Sequence, residues 1–278
     1  MDAGPWWGPH SGMERGKSRV IQSVDRALRI LTVLQGARRM SLGEIATALG
    51  LPPSTVHGII RTLLAHGMVQ QERDSLRYRL GPATLRLGNV YLDTLELRSR
   101  VDSWSGELAR RTGFAVRTGV LLLGDVVVVH HEPRPDGTRQ MPEVGIVIPA
   151  YACALGKAVL AYDAEAAAHV LAGPRRSMTG ETITARAALK SQLAEVRATG
   201  IAAEAEEAVL GECGLAAPLA EAGGEVAGAI GLVVPSGDWP VKASALDALR
   251  DTARAVSREL GAQVWPPVVE SRSPAASA

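Results

Sequence analysis

Phenylalanine occurs once in this chain and cysteine twice, and no apolar run approaches the length of a membrane span. Two cysteines in 278 residues cannot build a disulfide framework, and they point to a reducing compartment. The opening MDAGPWWGPHSGMERGKSR has no apolar core, and no stretch reaches the roughly 18 residues a spanning helix needs. The expectation is therefore a soluble, cytoplasmic protein without membrane contact. An overall charge of one sign is lacking too, since 30 Lys and Arg face 29 Asp and Glu for a net +1. That balance hides an asymmetry. Residues 1–81 hold 11 cations against 6 anions, net +5, and residues 82–278 hold 19 against 23, net −4. Cations gathered at one end suit a partner made of phosphates. There is no phosphate loop, dinucleotide fingerprint or nucleophile elbow. The length suits two domains.

Residues 41–80 organise the rest. Leu42, Ile45, Ala46 and Leu49 recur at helical spacing behind Ser41 as N-cap, with Glu44 three residues on. Gly50 ends that helix, and Leu51, Pro52 and Pro53 turn the chain into a second helix. Val56, Ile59, Ile60, Leu63 and Leu64 bury one face of it, leaving Ser54, Thr55, His57, Gly58, Arg61 and Thr62 outward. Two helices joined by so short a turn place the second against base edges in a major groove. A hairpin follows, its strands at residues 68–72 and 77–80 around Asp74 and Ser75, lined by Arg73, Arg77 and Arg79. The hairpin favours a winged helix-turn-helix over an ordinary helical pair. Before it, Ser23 is expected to cap a helix whose stripe is Val24, Leu28, Leu31 and Leu34 and which Gly36 stops. Arg38 and Arg39 follow in a turn that either meets phosphate or is simply solvated.

The expected organisation is a disordered tail over 1–18, the winged helix over 19–81, a linker and dimerisation helix over 82–98, a second domain over 99–265 and a tail over 266–278. Trp6 and Trp7 belong to the first tail, with Arg15, Lys17 and Arg19 nearby. The helical stretch 82–113 carries more apolar residues than one buried face requires, Leu85, Leu87, Val90 and Tyr91 among them. That excess suits pairing with a second copy, or burial against its own second domain. Beyond Gly113, β-branched runs at 114–123 and 126–130 flank Gly124-Asp125 as a hairpin, and a further strand is expected at 141–148. Helices at 155–161, 164–171 and 185–199, a strand near 201–206, a hairpin of 214–219 with 226–234 and a helix at 243–260 complete an α+β module around one antiparallel sheet.

Chemistry in that module is sparse. His130, His131 and Glu132 are adjacent on a strand, so the two histidines point to opposite faces and cannot share an ion; no metal site and no cofactor is expected. Cys153 and Cys213 lack an assignable base. Glu204, Glu206 and Glu207 suit a solvated edge or a pocket acceptor better than a hydrolytic pair. The module reads as a binder, with no catalytic residue. The rival is a metabolite-converting enzyme that uses Cys153 or Glu204 and keeps its winged helix as an interaction module.

Four segments in order, LGLPPSTVHGIIRTL, ALGKAVLAY, GIAAEAEEAVLGECGLAAPL and VAGAIGLVVPSG, resemble the IclR family of bacterial transcriptional regulators over about residues 20–262. Within it, YLDTLELRSR, HHEPRPDGTRQ and DTARAVSRELGA are most similar to actinobacterial glycerol-operon regulators. The resemblance implies a homodimer or homotetramer on double-stranded operator DNA, with a GAF-like C-terminal domain for a small-molecule effector. DNA contacts would fall on Arg38, Ser54, Thr55, His57, Gly58, Arg61, Arg73 and Arg77. Thr55, His57 and Arg61 would read bases, and Pro53 and Gly58 replace basic residues common in the family. The effector site would fall on Ala154, Leu155, Glu204, Cys213, Gly214, Gly231 and Val233. Where some members carry Ser or Cys this chain has Gly214, Gly231 and Val233, which implies a roomier, less polar pocket. The glycerol branch implies glycerol 3-phosphate, with Lys157, Arg117, Arg134 and Arg139 as candidate cations, and repression as the mode; a ligand-independent regulator is the remaining alternative.

Overall fold

The computed structural model describes residues 20–268, so Trp6, Trp7, Arg15, Lys17, Arg19 and the last ten residues lie outside it. The chain divides after Thr94 into two compact units.

The first unit contains α1 (Gln22–Ala37), α2 (Leu42–Leu49), α3 (Pro53–Ala65), the hairpin β1 (Val69–Gln71) and β2 (Tyr78–Leu80), and α4 (Pro82–Thr94). At α1 the structure corrects three expectations. Ile21, not Ser23, takes the N-cap position, and its carbonyl accepts from Val24 and Asp25. Val24 and Leu28 are exposed; the stripe that meets the other helices is Ile30, Leu31 and Leu34, with Val33 also buried. The helix also runs one residue past Gly36. At α2 the capping box is complete, Ser41 Oγ accepting from the Glu44 amide at 3.3 Å and Glu44 Oε2 from the Ser41 amide at 2.7 Å. Gly50 closes it with φ of 63°. Val56, Ile60 and Leu63 of α3 then bury against Ile30, Leu34 and Ile45, each contributing about 1.5–3 kcal/mol. After β2 the chain passes so close to the end of α3 that a Cβ on Gly81 would lie 2.1 Å from the Gly67 carbonyl oxygen; only glycine fits.

The single helix expected from residue 82 to 113 is two. Leu95 is extended, with φ −83° and ψ 100°, and α5 (Glu96–Thr112) starts after it. Leu97 and Val101 are buried in the second unit's core, so the expected linker helix of 82–98 ends at Thr94. α4 has no buried residue, and Leu85, Leu87, Val90 and Tyr91 stand exposed on it.

The second unit is built on a six-stranded antiparallel sheet in the order β5-β4-β3-β8-β7-β6. Its strands are β3 (Ala115–Leu122), β4 (Asp125–Glu132), β5 (Val147–Pro149), β6 (Ala202–Ala205), β7 (Glu212–Ala220) and β8 (Val226–Pro235). The first hairpin turns at Leu123-Gly124, both with positive φ, one residue earlier than expected, and Leu122 pairs with Asp125. The strand expected over 141–148 shrinks to Val147–Pro149. Pro142 has no N–H to give a ladder, and Gly145 at φ 90° turns the chain out of it. One face of the sheet is covered by α6 (Ala154–Leu160), α7 (Ala164–Ala172) and α8 (Arg186–Thr199), the other by α5 and α9 (Ala243–Glu259). Strand alternation decides which side chains meet which layer.

Candidate functional site

The outward face of α3 presents Ser54, His57, Gly58, Arg61 and Thr62 to solvent, with Thr55 half-buried. Spacings of three, four and seven residues stack Ser54, His57, Gly58 and Arg61 on one side of the helix. Arg61 makes no ion pair with any described residue. A Cβ at Gly58 would touch nothing within 4 Å, so the backbone there can be approached closely. Arg38 is exposed at the end of α1 with φ of 63°, and Arg73 is exposed beside the wing turn. Arg77 is engaged: its guanidinium donates to Glu44 Oε1 at 2.9 Å and to the Arg39 carbonyl at 3.3 Å. It ties the wing to the start of α2. Arg39 meets Glu72 at 3.1 Å.

In the second unit, Ala154, Leu155, Glu204, Cys213, Gly214, Gly231 and Val233 all border one cavity, of about 30 Å³, together with Arg117, Ile148 and Glu212. Two cross-strand rows on the α6 side make its floor. One runs Glu204, Gly214, Val233; the next runs Ala216, Gly231, Arg117, His131. Cys213 borders the cavity from its strand, but its side chain belongs to the core on the opposite face. The glycines open little free space in this chain. A Cβ at Gly214 would sit 2.9 Å from Glu204 Oε1, and one at Gly231 would sit 2.5 Å from the Leu215 carbonyl oxygen. Their missing side chains let neighbours close in, leaving space for about one or two waters.

Nor is the cavity apolar. Burial pushes the Glu204 carboxyl up to about 7, against the pull of the Glu207 amide that donates to it at 3.0 Å. Burial alone would lower the Arg117 guanidinium, but the hydrogen bonds it donates to Glu143 and Glu212 hold it raised. Both carboxylates grip it bidentately, with Arg117 Nη2 at 2.9 Å from Glu143 Oε1 and 3.3 Å from Glu212 Oε2. Burial tends to raise Glu143, and Arg117 overcomes this to keep it low.

Known proteins match both units. The IclR helix-turn-helix domain matches residues 23–73, and the bacterial transcriptional regulator IclR C-terminal domain matches residues 89–258. The chain belongs to the IclR family. Among IclR-family relatives it is 44% identical to the glycerol operon regulatory protein of Streptomyces griseus over 250 residues, covering 88% of this chain and 98% of the relative. It is 41% identical to the protein of the same name from Streptomyces coelicolor, with the same coverage. A crystal structure of an IclR transcriptional regulator from Silicibacter sp. TM1040 superposes with a TM-score of 0.76 at 28% identity, covering 88% of this chain and 98% of that one. An IclR member is a DNA-binding transcriptional regulator, which removes the enzyme reading.

The local chemistry of this IclR chain agrees. Burial pushes the Cys153 thiol up to about 12, so it is no thiolate; its Sγ accepts the Gly156 amide at 3.4 Å at the start of α6. Lys157 is fully buried and donates to Glu207. Arg134 pairs loosely with Asp136 at 3.8 Å, and Arg139 is exposed outside the cavity lining. Of the four candidate cations, Arg117 alone borders the cavity. Its partners Glu143 and Glu212 were not singled out from the sequence, and its neighbour His131 was weighed only as a metal ligand. The available signal was one charged residue inside the strand AVRTGVLL. Among the described residues no three His, Cys, Asp or Glu gather as a metal site, and no helix is long and apolar enough to cross a membrane.

Proposed function

We propose that this protein is a repressor that holds an operator through α3 and the wing, and lets go when a small glycerol-derived metabolite, glycerol 3-phosphate, enters the cavity over Glu204, Gly214 and Gly231. The one-sided character of α3 carries the reading: Val56, Ile60 and Leu63 are spent on the core, and Ser54, His57, Gly58 and Arg61 are left outward beside the half-buried Thr55. On it, Thr55, His57 and Arg61 read base edges, Ser54 hydrogen-bonds to phosphate, and Arg38 and Arg73 neutralise phosphates. Arg77, engaged with Glu44, positions the wing. The names of the two Streptomyces relatives support control of a glycerol operon.

A second copy of the chain is the natural cover for Leu85, Leu87, Val90 and Tyr91 of α4, and a pair presents two α3 helices to two half-sites. An effector moves DNA affinity only if it binds the two arrangements of that pair unequally. The test is Arg61→Ala in a gel-shift against the chain's own upstream DNA. Loss of operator retention with unchanged circular dichroism is expected; retention at wild-type strength would remove α3 as the reading element.

A further inference from the structure

Arg117 is one cation held by two carboxylates, so the site carries a surplus negative charge at side chains that are only 14%, 20% and 29% exposed for Arg117, Glu143 and Glu212. A crowd of carboxylates around one guanidinium is what remains when a binding group is satisfied by the protein's own acid. The two acids are not equivalent. Glu212 begins β7 and pairs with Pro235 in the sheet, so its backbone is fixed beside Arg117. Glu143 lies in the irregular segment between β4 and β5, just before Gly145 and Ile146 bond to Val128 of β4, so its side chain is held by no strand pairing of its own. Beside it, His131 Nε2 is buried, has no hydrogen-bond partner and stands 3.6 Å from Glu143 Oε2. His131 is the direct cross-strand neighbour of Arg117, and its side chain is 5% exposed. A buried ring nitrogen left unpaired beside a resident carboxylate points to a group that pairs with it better.

We infer that Arg117 and His131 recognise the anionic group of the effector, a carboxylate or phosphomonoester, and that Glu143 holds that place until the effector displaces it. The inference rests on the effector cavity of the proposed function and adds the ligand class and the residues that select it. Exchanging Glu143 for a ligand carboxylate leaves the charge count around Arg117 unchanged, a phosphomonoester adds up to about one further negative charge, and either returns Glu143 to water, where a carboxylate costs least. The departing side chain also adds its own volume to a cavity of about 30 Å³.

Calorimetric titration of the full chain with glycerol, glycerate and glycerol 3-phosphate isolates the charge, because the three share a hydroxylated skeleton. Both or one of the anions should bind at least about tenfold more tightly than glycerol, and whichever binds tighter assigns the group as carboxylate or phosphate. Arg117→Gln strands two carboxylates and can unfold the unit, so the deciding variant is Glu143→Gln, which keeps the shape and weakens the competitor. It should tighten anion binding about tenfold and leave glycerol unchanged. His131→Phe should weaken the anion alone. Equal binding of glycerol and both anions, or no gain in Glu143→Gln, would overturn the inference. The same samples are tested for operator retention: a protein that holds its operator but shows no anion preference overturns this inference and leaves the regulator standing, whereas an anion-selective protein with no operator binding overturns the regulator and keeps the selectivity.

Discussion

Lys157 and Glu207 form an ion pair inside the core of the second unit, their side chains 1% and 5% exposed. Glu207 Oε2 also accepts the Ile183 amide at 3.3 Å, and Thr182 Oγ1 donates to the Glu207 carbonyl at 2.6 Å. A pair this buried contributes little over an apolar replacement, but removing one partner leaves an uncompensated charge. Lys157→Met should therefore cost about 3–5 kcal/mol. The double variant Lys157→Met with Glu207→Leu should recover most of it. Chemical denaturation of the two variants checks this, and their non-additivity is the signature.

Glu204 gives the second unit a pH dependence of definite sign. Its folded pKa, about 7, lies above the usual 4.5, so between those values the folded protein keeps a proton that the unfolded chain has released. Stability from this group falls as pH rises through that window and is flat above it, a loss on the order of 3 kcal/mol. Burial lowers His130 and His131. They act oppositely, adding stability as pH rises toward 6.5. The check is therefore a difference: Glu204→Gln against wild type, denatured at about pH 5 and about pH 8, should gain relative stability only at the higher pH.

Gly58 sits in the middle of α3 where a Cβ meets nothing. Gly58→Ala should raise stability by about 0.5–1 kcal/mol, because glycine weakens a helix interior. On the proposed DNA face the same methyl should weaken operator binding. Thermal melts and gel-shifts on one preparation separate the two effects.

Arg73 and Arg77 carry equal charge and should behave differently. Arg73 is exposed, so Arg73→Ala should weaken all DNA sequences alike and reduce the salt slope by about 1. Arg77 is matched by Glu44; its loss should change stability by less than about 1 kcal/mol, as exposed pairs do. Operator affinity should fall through a mispositioned wing, with the salt slope kept.

The capping box at Ser41 and Glu44, the glycine stop at Gly50 and the apolar stripe of α3 were legible because each is a local pattern with one physical solution. The α+β architecture around one antiparallel sheet was legible for the same reason, from β-branched runs and helical periods. Leu95 was not: nothing in TLEL marks a break, and the surplus of apolar residues that looked like one long amphipathic helix serves two units. Val24 and Leu28 misled because the stripe of α1 is chosen by Ile45, Val56 and Ile60 across the core, which is tertiary information. Family resemblance brought Glu204, Gly214 and Gly231 to one cavity, while its volume depended on how far neighbours close over a missing Cβ. The grip of Glu143 and Glu212 on Arg117 spans 26 and 95 residues of sequence and leaves no local trace.

The central claim is tested by the affinity of the purified chain for its own upstream DNA at a fixed salt concentration, with and without glycerol 3-phosphate. Specific binding that weakens when the compound is added is the predicted result. Binding that is specific but indifferent to glycerol 3-phosphate would contradict the proposed effector, and the absence of specific binding would contradict the operator-holding role itself.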